Sequence, residues 1–371
     1  MTRYVASTRI EAAPPPAAQR DWMHRMKAGL FPTPATGAVT LVLAALFLAF
    51  FWKLMDWGLL HAVFNTHGRG PDACRVTGAG ACWAVIGEKF RLIVFGIYPY
   101  AQQWRAALAM AILVVMYVLS TRRNWWNQRL AVAWAVALAG FGTLMWGGIL
   151  GMPFVPDDQW GGLAVTLILA TLGLAAGFPL AVALALLRHS SRPGVGKALA
   201  VAYIEIARSV PLLAVLFLAS VMIPLFLPQG TDLSKLFRVF VAFSLFTAAY
   251  LAEVIRGGLQ VVPRGQYEAA AALGLSRRVT TLRVVLPQAL TAVLPALVNV
   301  FIAFFKATSI VVIVGIFDLM TAAKRAIADA HWQGFGTEIY LFVGAIYFVF
   351  CFAMSRYSAR LHASLDAGRH H

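Results

Sequence analysis

The sequence has little charge. Of its 371 residues only 12% are Asp, Glu, Lys or Arg, while the apolar set, aromatics and Cys included, makes up 60%. Soluble domains carry roughly 25% charged residues. Mean hydropathy is +0.75. These values exclude the two or three soluble domains that the length alone would allow, and they place the chain in a membrane. Acidic residues are the scarcest charges, 15 against 31 Lys and Arg, for a net charge of +16. No basic stripe with interleaved aromatics lies outside the apolar runs, so the excess does not indicate nucleic acid. Basic residues collect in the cytoplasmic loops of membrane proteins. Three cysteines are too few for a disulfide scaffold. Without a CxxC or CxxH pair no zinc site is indicated. HExxH and GxSxG are absent, which argues against a membrane enzyme. Gly194-Val195-Gly196-Lys197-Ala198 is half a P-loop, but Ser191 and Ala198 replace its first Gly and its Ser/Thr, so the chain is not expected to hydrolyse ATP by itself. No signal peptide opens the chain. Residues 1–36, with Pro14-Pro15-Pro16, read as a disordered basic arm.

Long apolar runs fill the rest. A bilayer core takes about 20 such residues per helix, and helices satisfy their own backbone groups there. The expected fold is all-α and polytopic, with eight spans near 37–57, 106–120 (or from 101), 130–150, 161–187, 209–228, 236–255, 286–305 and 337–356. Ser309–Met320 is apolar but short, and reads as a re-entrant or peripheral helix. With the N-terminus inside, the inside segments 1–36, 121–129, 188–208, 256–285 and 356–371 hold 20 of the 31 Lys and Arg. The loop 151–160 has neither, and carries Asp157 and Asp158. Both termini are therefore expected in the cytoplasm. The polar loop 58–105 falls outside, where Cys74 and Cys82 are either bridged or two free thiols. Cys351 reads as a packing residue. A composition shift near Met152–Gln159 divides a three-helix extension, 37–158, from a five-helix core, 159–360, and a tail, 361–371. No internal repeat supports an inverted-repeat transporter.

The segment Val261 to Pro287 reads VVPRGQYEAAAALGLSRRVTTLRVVLP and spans most of the inside segment 256–285. Pro263 and Gly265 punctuate its start. Gln266 to Leu273 is rich in helix formers, and Gly274 is a helix stop. Glu268 sits in the first turn, where a carboxylate suits the helix dipole. Arg277, Arg278 and Arg283 keep the segment at the surface. On these grounds it is either a short helix that receives a protein partner or a plain connector.

The spacing Glu268-Ala269-Ala270, three residues, Gly274, nine residues, Val284-x-Leu286-Pro287 resembles the EAA loop of type I ABC-importer permeases, with Val284 in place of the usual Ile. Tyr250-x-x-Glu253-x-x-Arg256-Gly257-Gly258, the run on to Gln266, Leu286-Pro287-Gln288-Ala289, Leu294-Pro295, Asn299 and Lys306-x-Thr308-Ser309 resemble the permeases of polar-amino-acid importers. So do Gly161-Gly162-Leu163 with Thr166-Leu167, and Tyr203-x-Glu205-x-x-Arg208-x-x-Pro211. The likeness covers about 160–360. Ala307 departs from the frequent Asp or Asn, and Ser209 from the frequent Gly. In the extension, Gly80-Ala81-Cys82-Trp83, Glu88-Lys89, Tyr98-Pro99-Tyr100 and Gln103-Trp104-Arg105 resemble the M-type permease subunit of general L-amino-acid transporters, which pairs with a Q-type permease.

The resemblance implies a five-helix permease core importing amino acids, of broad range, across a bacterial inner membrane. It implies a coupling helix seated in a cytoplasmic ATPase dimer, carried by Gly265, Gln266, Glu268, Ala269, Ala270, Leu273, Gly274, Leu286 and Pro287. A periplasmic amino-acid-binding protein would deliver substrate. ATP and Mg would belong to the partner ATPase, with no cofactor in this chain.

Other polar residues keep two readings. Glu253 with Arg256, and Glu205 with Arg208, are i,i+3 pairs that either fix the loop or a gate, or are interfacial pairs worth little. Asn299 and Lys306 either face a pathway or, for Asn299, bond a neighbouring helix. Thr308 and Ser309 either line an outer gate or cap the next helix. Gly173-x3-Gly177 and Gly147-x3-Gly151 either allow close helix packing or fill space. Two rival functions stay open. An ion-coupled secondary transporter would need carboxylates near the midplane, and each Asp and Glu falls at a span end or in a loop. Alternatively the partner permease holds the substrate site.

Overall fold

The protein is described by a computed structural model over residues 22–66, 68–190, 193–228, 230 and 233–367. The arm expected over 1–36 lies outside the described residues as far as position 21, and the tail from position 368. The chain folds as two compact units, Met1–Cys82 and Trp83–His371, with the boundary inside the loop 58–105.

The first unit holds α1 (Trp22–Leu30) and α2 (Pro34–Met55), with a π turn, Asp56–Leu60, continuing α2. Thr33 starts α2 through a reciprocal capping box with Thr36, and Pro34 takes the first turn, where its missing N–H costs nothing. A 3-10 turn, Gly70–Cys74, follows. A disulfide joins Cys74 to Cys82, and both residues are buried.

The second unit is α3 (Ala84–Phe95), α4 (Gln103–Ser120), α5 (Gln128–Trp146), α6 (Gly162–His189), α7 (Val195–Ser209), α8 (Leu212–Phe217), α9 (Ile223–Phe226), α10 (Lys235–Val261), α11 (Arg264–Ala272), α12 (Arg277–Val279), α13 (Leu286–Ala292), α14 (Leu294–Ala307), α15 (Leu319–Ile327) and α16 (Gly336–Ala367). Among the described residues of the whole chain, seven helices are long and apolar enough to cross a membrane, and a bent pair makes an eighth span. The all-helical, eight-span expectation holds, with three corrections.

The expected straight span 209–228 is broken. Val195–Ser209 and Leu212–Phe226 meet at 102°. Pro211 is the cause: the residue before a proline is pushed out of the α region, and Val210 is extended at φ −95, ψ 137. Ser309–Met320 is not a separate element. Thr308–Val314 continues α14 as a 3-10 helix, and a new helix starts only at Leu319, capped by Asp318. The loop 58–105 is not wholly irregular either, because α3 packs on α6 and α15.

α10 is the central helix, touching α6, α7, α8, α13 and α14. Lipid is as apolar as Leu, so membrane helices associate by close packing rather than by escape from water. Gly173 and Gly177 supply that closeness. A Cβ at Gly173 would stand 2.6 Å from the Phe243 ring, and one at Gly177 2.9 Å from the Ser244 carbonyl oxygen on α10. Gly147 and Gly151, by contrast, lie in the turn after α5 with φ +69 and +73, so they form no helix-packing stripe. There Arg105, fully buried, donates to the carbonyls of Leu144 (2.7 Å) and Pro153 (2.9 Å). The cation thus meets the negative end of α5.

Leucine in place of Gly177 overpacks the seam against α10 backbone, which cannot rotate away. We expect a loss of about 1–3 kcal/mol, read as a lower melting temperature of the detergent-purified protein. An unchanged melting temperature would show that α6 and α10 have slack at this level.

Candidate coupling surface and membrane pathway

The chain leaves α10 at Val262, extended at φ −66, ψ 123, and Pro263 caps α11. Nine residues later the helix stops in a Schellman motif. The Leu275 N–H donates to the Ala270 carbonyl (3.1 Å) and the Gly274 N–H to that of Ala271 (2.9 Å). Gly274 has φ +71, a region that side chains with a Cβ disfavour. Nothing lies within 4 Å of a Cβ built there, so its glycine requirement is conformational. Ser276 then caps α12, accepting from the Val279 N–H at 3.4 Å.

The residues named for coupling fall on two elements. Gly265, Gln266, Glu268 and Ala269 are exposed on α11, and Leu273 and Gly274 are exposed at its end. Leu273 is 79% exposed, while Ala270 turns inward at 3%. Leu286 and Pro287 begin α13. A side-chain bond ties the two elements, Gln288 Nε2 donating to Gln266 Oε1 at 3.1 Å. A groove of about 820 Å³ runs between α11, the turn after it and the end of α6, lined by Tyr267, Leu275, Arg277, Arg278 and His189 among others. Burial pushes the Tyr267 hydroxyl above the ordinary tyrosine range.

Above α11 lies a charge cluster that the i,i+3 spacing showed only in part. Glu253 accepts from Arg256 Nε at 3.0 and 3.1 Å, as that spacing suggested. Glu205 does not pair with Arg208 but with Arg188, at 2.7 Å. Arg188 also reaches Glu253 at 3.5 Å, and Arg208 reaches it at 4.0 Å. The cluster therefore joins the end of α6, α7 and α10. Arg188 closes the last turn of α6, and nothing in local spacing points from it to α7 or α10.

A second cavity, about 500 Å³, lies beside the α7–α8 break. One face of α14 lines it with Val300, Ala303, Phe304 and Ala307, opposite Arg208 and Tyr250. None of Asn299, Lys306, Thr308 and Ser309 is among its lining. Asn299 and Lys306 are exposed. Thr308 is buried and donates to the Phe305 carbonyl (2.7 Å), and Ser309 to that of Lys306 (2.8 Å), so both close the end of α14. At the far end of α6, the Gly162 N–H donates to the Phe317 carbonyl (2.8 Å), and Thr166 Oγ1 accepts from the Leu319 N–H (3.0 Å). Asp318 caps α15 there, and burial pushes its carboxyl above the usual range. Lys89 on α3 bonds Asp329 at 2.6 Å and holds that carboxyl below it.

A broken span beside a cavity, and an exposed, sharply stopped helix between two core spans, are the features of a helical membrane transport protein. The chain belongs to the family described as binding-protein-dependent transport system inner membrane component, which it matches over residues 177–366. It is thus a permease subunit of an ABC importer, not an enzyme, with no cofactor of the family's own. Such permeases work with an ATPase and a binding protein. The inner membrane amino-acid ABC transporter permease protein YhdY of Escherichia coli K12 is 45% identical, over 85% of each chain. The glutamate/glutamine/aspartate/asparagine transport system permease protein BztC of Rhodobacter capsulatus is 34% identical, over 98% of each. Among solved structures, a chain of an amino acid ABC transporter with histidines is 33% identical, covering 55% of this chain and 92% of its own, at a TM-score of 0.48.

Glutamine at Glu253 keeps the shape and removes the charge that three guanidinium groups share. We expect a loss of about 1–3 kcal/mol, below the cost of breaking a fully buried pair because the cluster is partly open. Combining it with Arg256→Gln should recover part of that loss in a double-mutant cycle of melting temperatures. Strict additivity would show the pair to be uncoupled.

Proposed function

We propose that this chain is a permease subunit for amino acids, of broad L-amino-acid range, paired with a second, Q-type permease. In this reading a cytoplasmic ATPase dimer receives α11, and a periplasmic binding protein delivers substrate at the opposite face. Both termini are cytoplasmic, in a bacterial inner membrane. Residues 37–158 serve as an extension to the permease core of 159–360. Gly265, Gln266, Glu268, Ala269, Leu273 and Gly274 form the coupling surface. Ala270 anchors it from behind, and Leu286 and Pro287 carry its movement into α13. ATP and Mg stay on the ATPase.

The observation that carries this reading is the Schellman stop at Gly274. It leaves a two-and-a-half-turn helix with exposed Glu268, Ala269 and Leu273, among which the small Ala269 lets a partner's backbone approach. ATP closing the ATPase dimer would draw two such helices together, and the spans would follow between two states. The names of YhdY and BztC, both amino-acid permeases, support the substrate class.

Cysteine pairs between Leu273 or Ala269 and the ATPase should crosslink in a manner that changes with ATP. No crosslink at any position, with both proteins folded in the membrane, would sink the assignment. Valine at Gly274 meets no clash but must take a left-handed backbone, at about 1–2 kcal/mol. We expect stimulation of ATP hydrolysis by loaded binding protein to fall at least tenfold in complexes that still assemble. Full stimulation would remove Gly274 from coupling.

A further inference from the structure

The groove beside α11 is built from two kinds of residue. Its basic residues are His189 at the end of α6 and Arg277 and Arg278 in α12. Lys197 stands at the rim, its Nζ donating to the Ser190 carbonyl at 2.8 Å. Among the described residues no carboxylate lines the groove, and neither arginine has an ion pair. The remaining walls are largely apolar, with Leu186, Leu259, Leu282 and Val285. Leu282 is 55% exposed, so part of this apolar wall stays open. A solvated basic loop would not need such walls. The level of the groove accounts for the mixture. α6 has 28 residues, and at 1.5 Å each it is about 42 Å long. A bilayer with its headgroups is about 40–45 Å thick. His189, the last residue of α6, therefore falls among headgroups, and Leu186 lies nearer the hydrocarbon. Leu259, two residues before the end of α10, faces the same space. α11 turns Tyr267 and Ala271, one turn apart, towards the groove. The exposed row Gly265, Ala269 and Leu273 lies about 200° around the helix from them. A partner on that row leaves the groove free.

We propose that this groove binds an anionic phospholipid of the adjoining leaflet, with its phosphate on Arg277 and Arg278 and its upper acyl carbons against Leu186, Leu259 and Leu282. Guanidinium groups fit phosphate oxygens with parallel hydrogen bonds. The apolar walls select a lipid over a soluble phosphate, which would leave the open leucine in water. An acidic segment of a protein would meet the arginines and leave the same wall uncovered. The volume of about 820 Å³ is in the range that seats small ligands. It takes the headgroup and the upper part of one chain, while the rest stays in the bilayer. The bound lipid ties α11 and α12 to the ends of α6 and α10 on the side away from Ala269 and Leu273. Only the identity of the leaflet, the cytoplasmic one, rests on the importer reading above.

The test is photolabelling of the full chain, purified with the subunits that accompany it, in phosphatidylcholine nanodiscs. These carry a trace of phosphatidylglycerol with a diazirine near its headgroup, or of the matching phosphatidylcholine. Label from phosphatidylglycerol should fall on residues 186–190 and 275–285. It should exceed that from phosphatidylcholine about tenfold, as two arginines at a membrane surface would give. Unlabelled phosphatidylglycerol should displace it, and glycerol 3-phosphate should not. Arg277→Gln with Arg278→Gln should remove most of the preference, and Arg277→Lys with Arg278→Lys should keep most of it. Equal labelling by the two lipids, label confined to other segments, displacement by glycerol 3-phosphate, or a glutamine pair that keeps the preference would each overturn the site. So would label that vanishes once the ATPase is bound, which would assign the groove to that protein. Should the glutamine pair not assemble, the wild-type preference and label map still decide. Labelling does not depend on transport. Crosslinks at Leu273 that fail while the groove is labelled sink the importer reading alone, and the reverse sinks this inference alone.

Discussion

Two carboxylates and three guanidinium groups share the end of the bundle next to α11, and the mutual setting of α6, α7 and α10 depends on that sharing. An arginine within a spanning helix costs about 2.5–3.5 kcal/mol when it stands alone. Each charged side chain here therefore constrains the others. Glu253 is met from α6, from α7 and from its own helix, so α10 cannot turn about its axis without parting at least one pair. The glycine seam sets a different variable. Gly173 and Gly177 fix how near α6 and α10 lie, and the ions fix how they are rotated.

The same cluster decides what must move with α11. Glu253 lies eight residues before the end of α10, or about 12 Å along it. The chain then turns at Val262 and Pro263, both extended, straight into α11. Ala270 is buried, and Gln266 bonds Gln288 on α13. A displacement of α11 is thus handed to α10 through the chain and to α13 through contact. The shared carboxylate of Glu253 links α10 in turn to α6 and α7. These are packed, hydrogen-bonded elements, which shift between discrete arrangements more readily than they deform.

The spans were legible because length and apolar content decide them, and the membrane leaves no alternative to helix. The stop at Gly274 was legible because few residues tolerate its backbone. Pro211 announced a break by the rule for the residue before proline, but the apolar run 209–228 around it reads as one helix when only hydropathy is summed. The polar residues of α14 and the cavity beside it follow different physical signals. Asn299 and Lys306 draw attention because polarity is costly in a span, yet the cavity is lined by Ala303 and Ala307 on another face of the same helix. The cation in the cavity wall is Arg208 from α7, and its partner, Glu253 on α10, lies far away in the sequence. Spacing along one helix reports pairs within it, and the pairing of Glu205 with Arg188 is between helices.

The break and the cavity are one feature. Interrupting a helix within a bilayer leaves carbonyls that no water can satisfy, and such backbone is tolerated where protein covers it or where it lines a cavity. Here Ser209 Oγ turns back to the carbonyls of Glu205 (2.6 Å) and Ile206 (3.1 Å), and Pro211 has no N–H to leave unpaired. The cost of the interruption is reduced on both sides of the bend. The bend turns the span by 102° beside a cavity lined by Phe246, Tyr250 and Phe304. It leaves Arg208 at the last turn of α7 with room beside its guanidinium and too few carboxylates behind it.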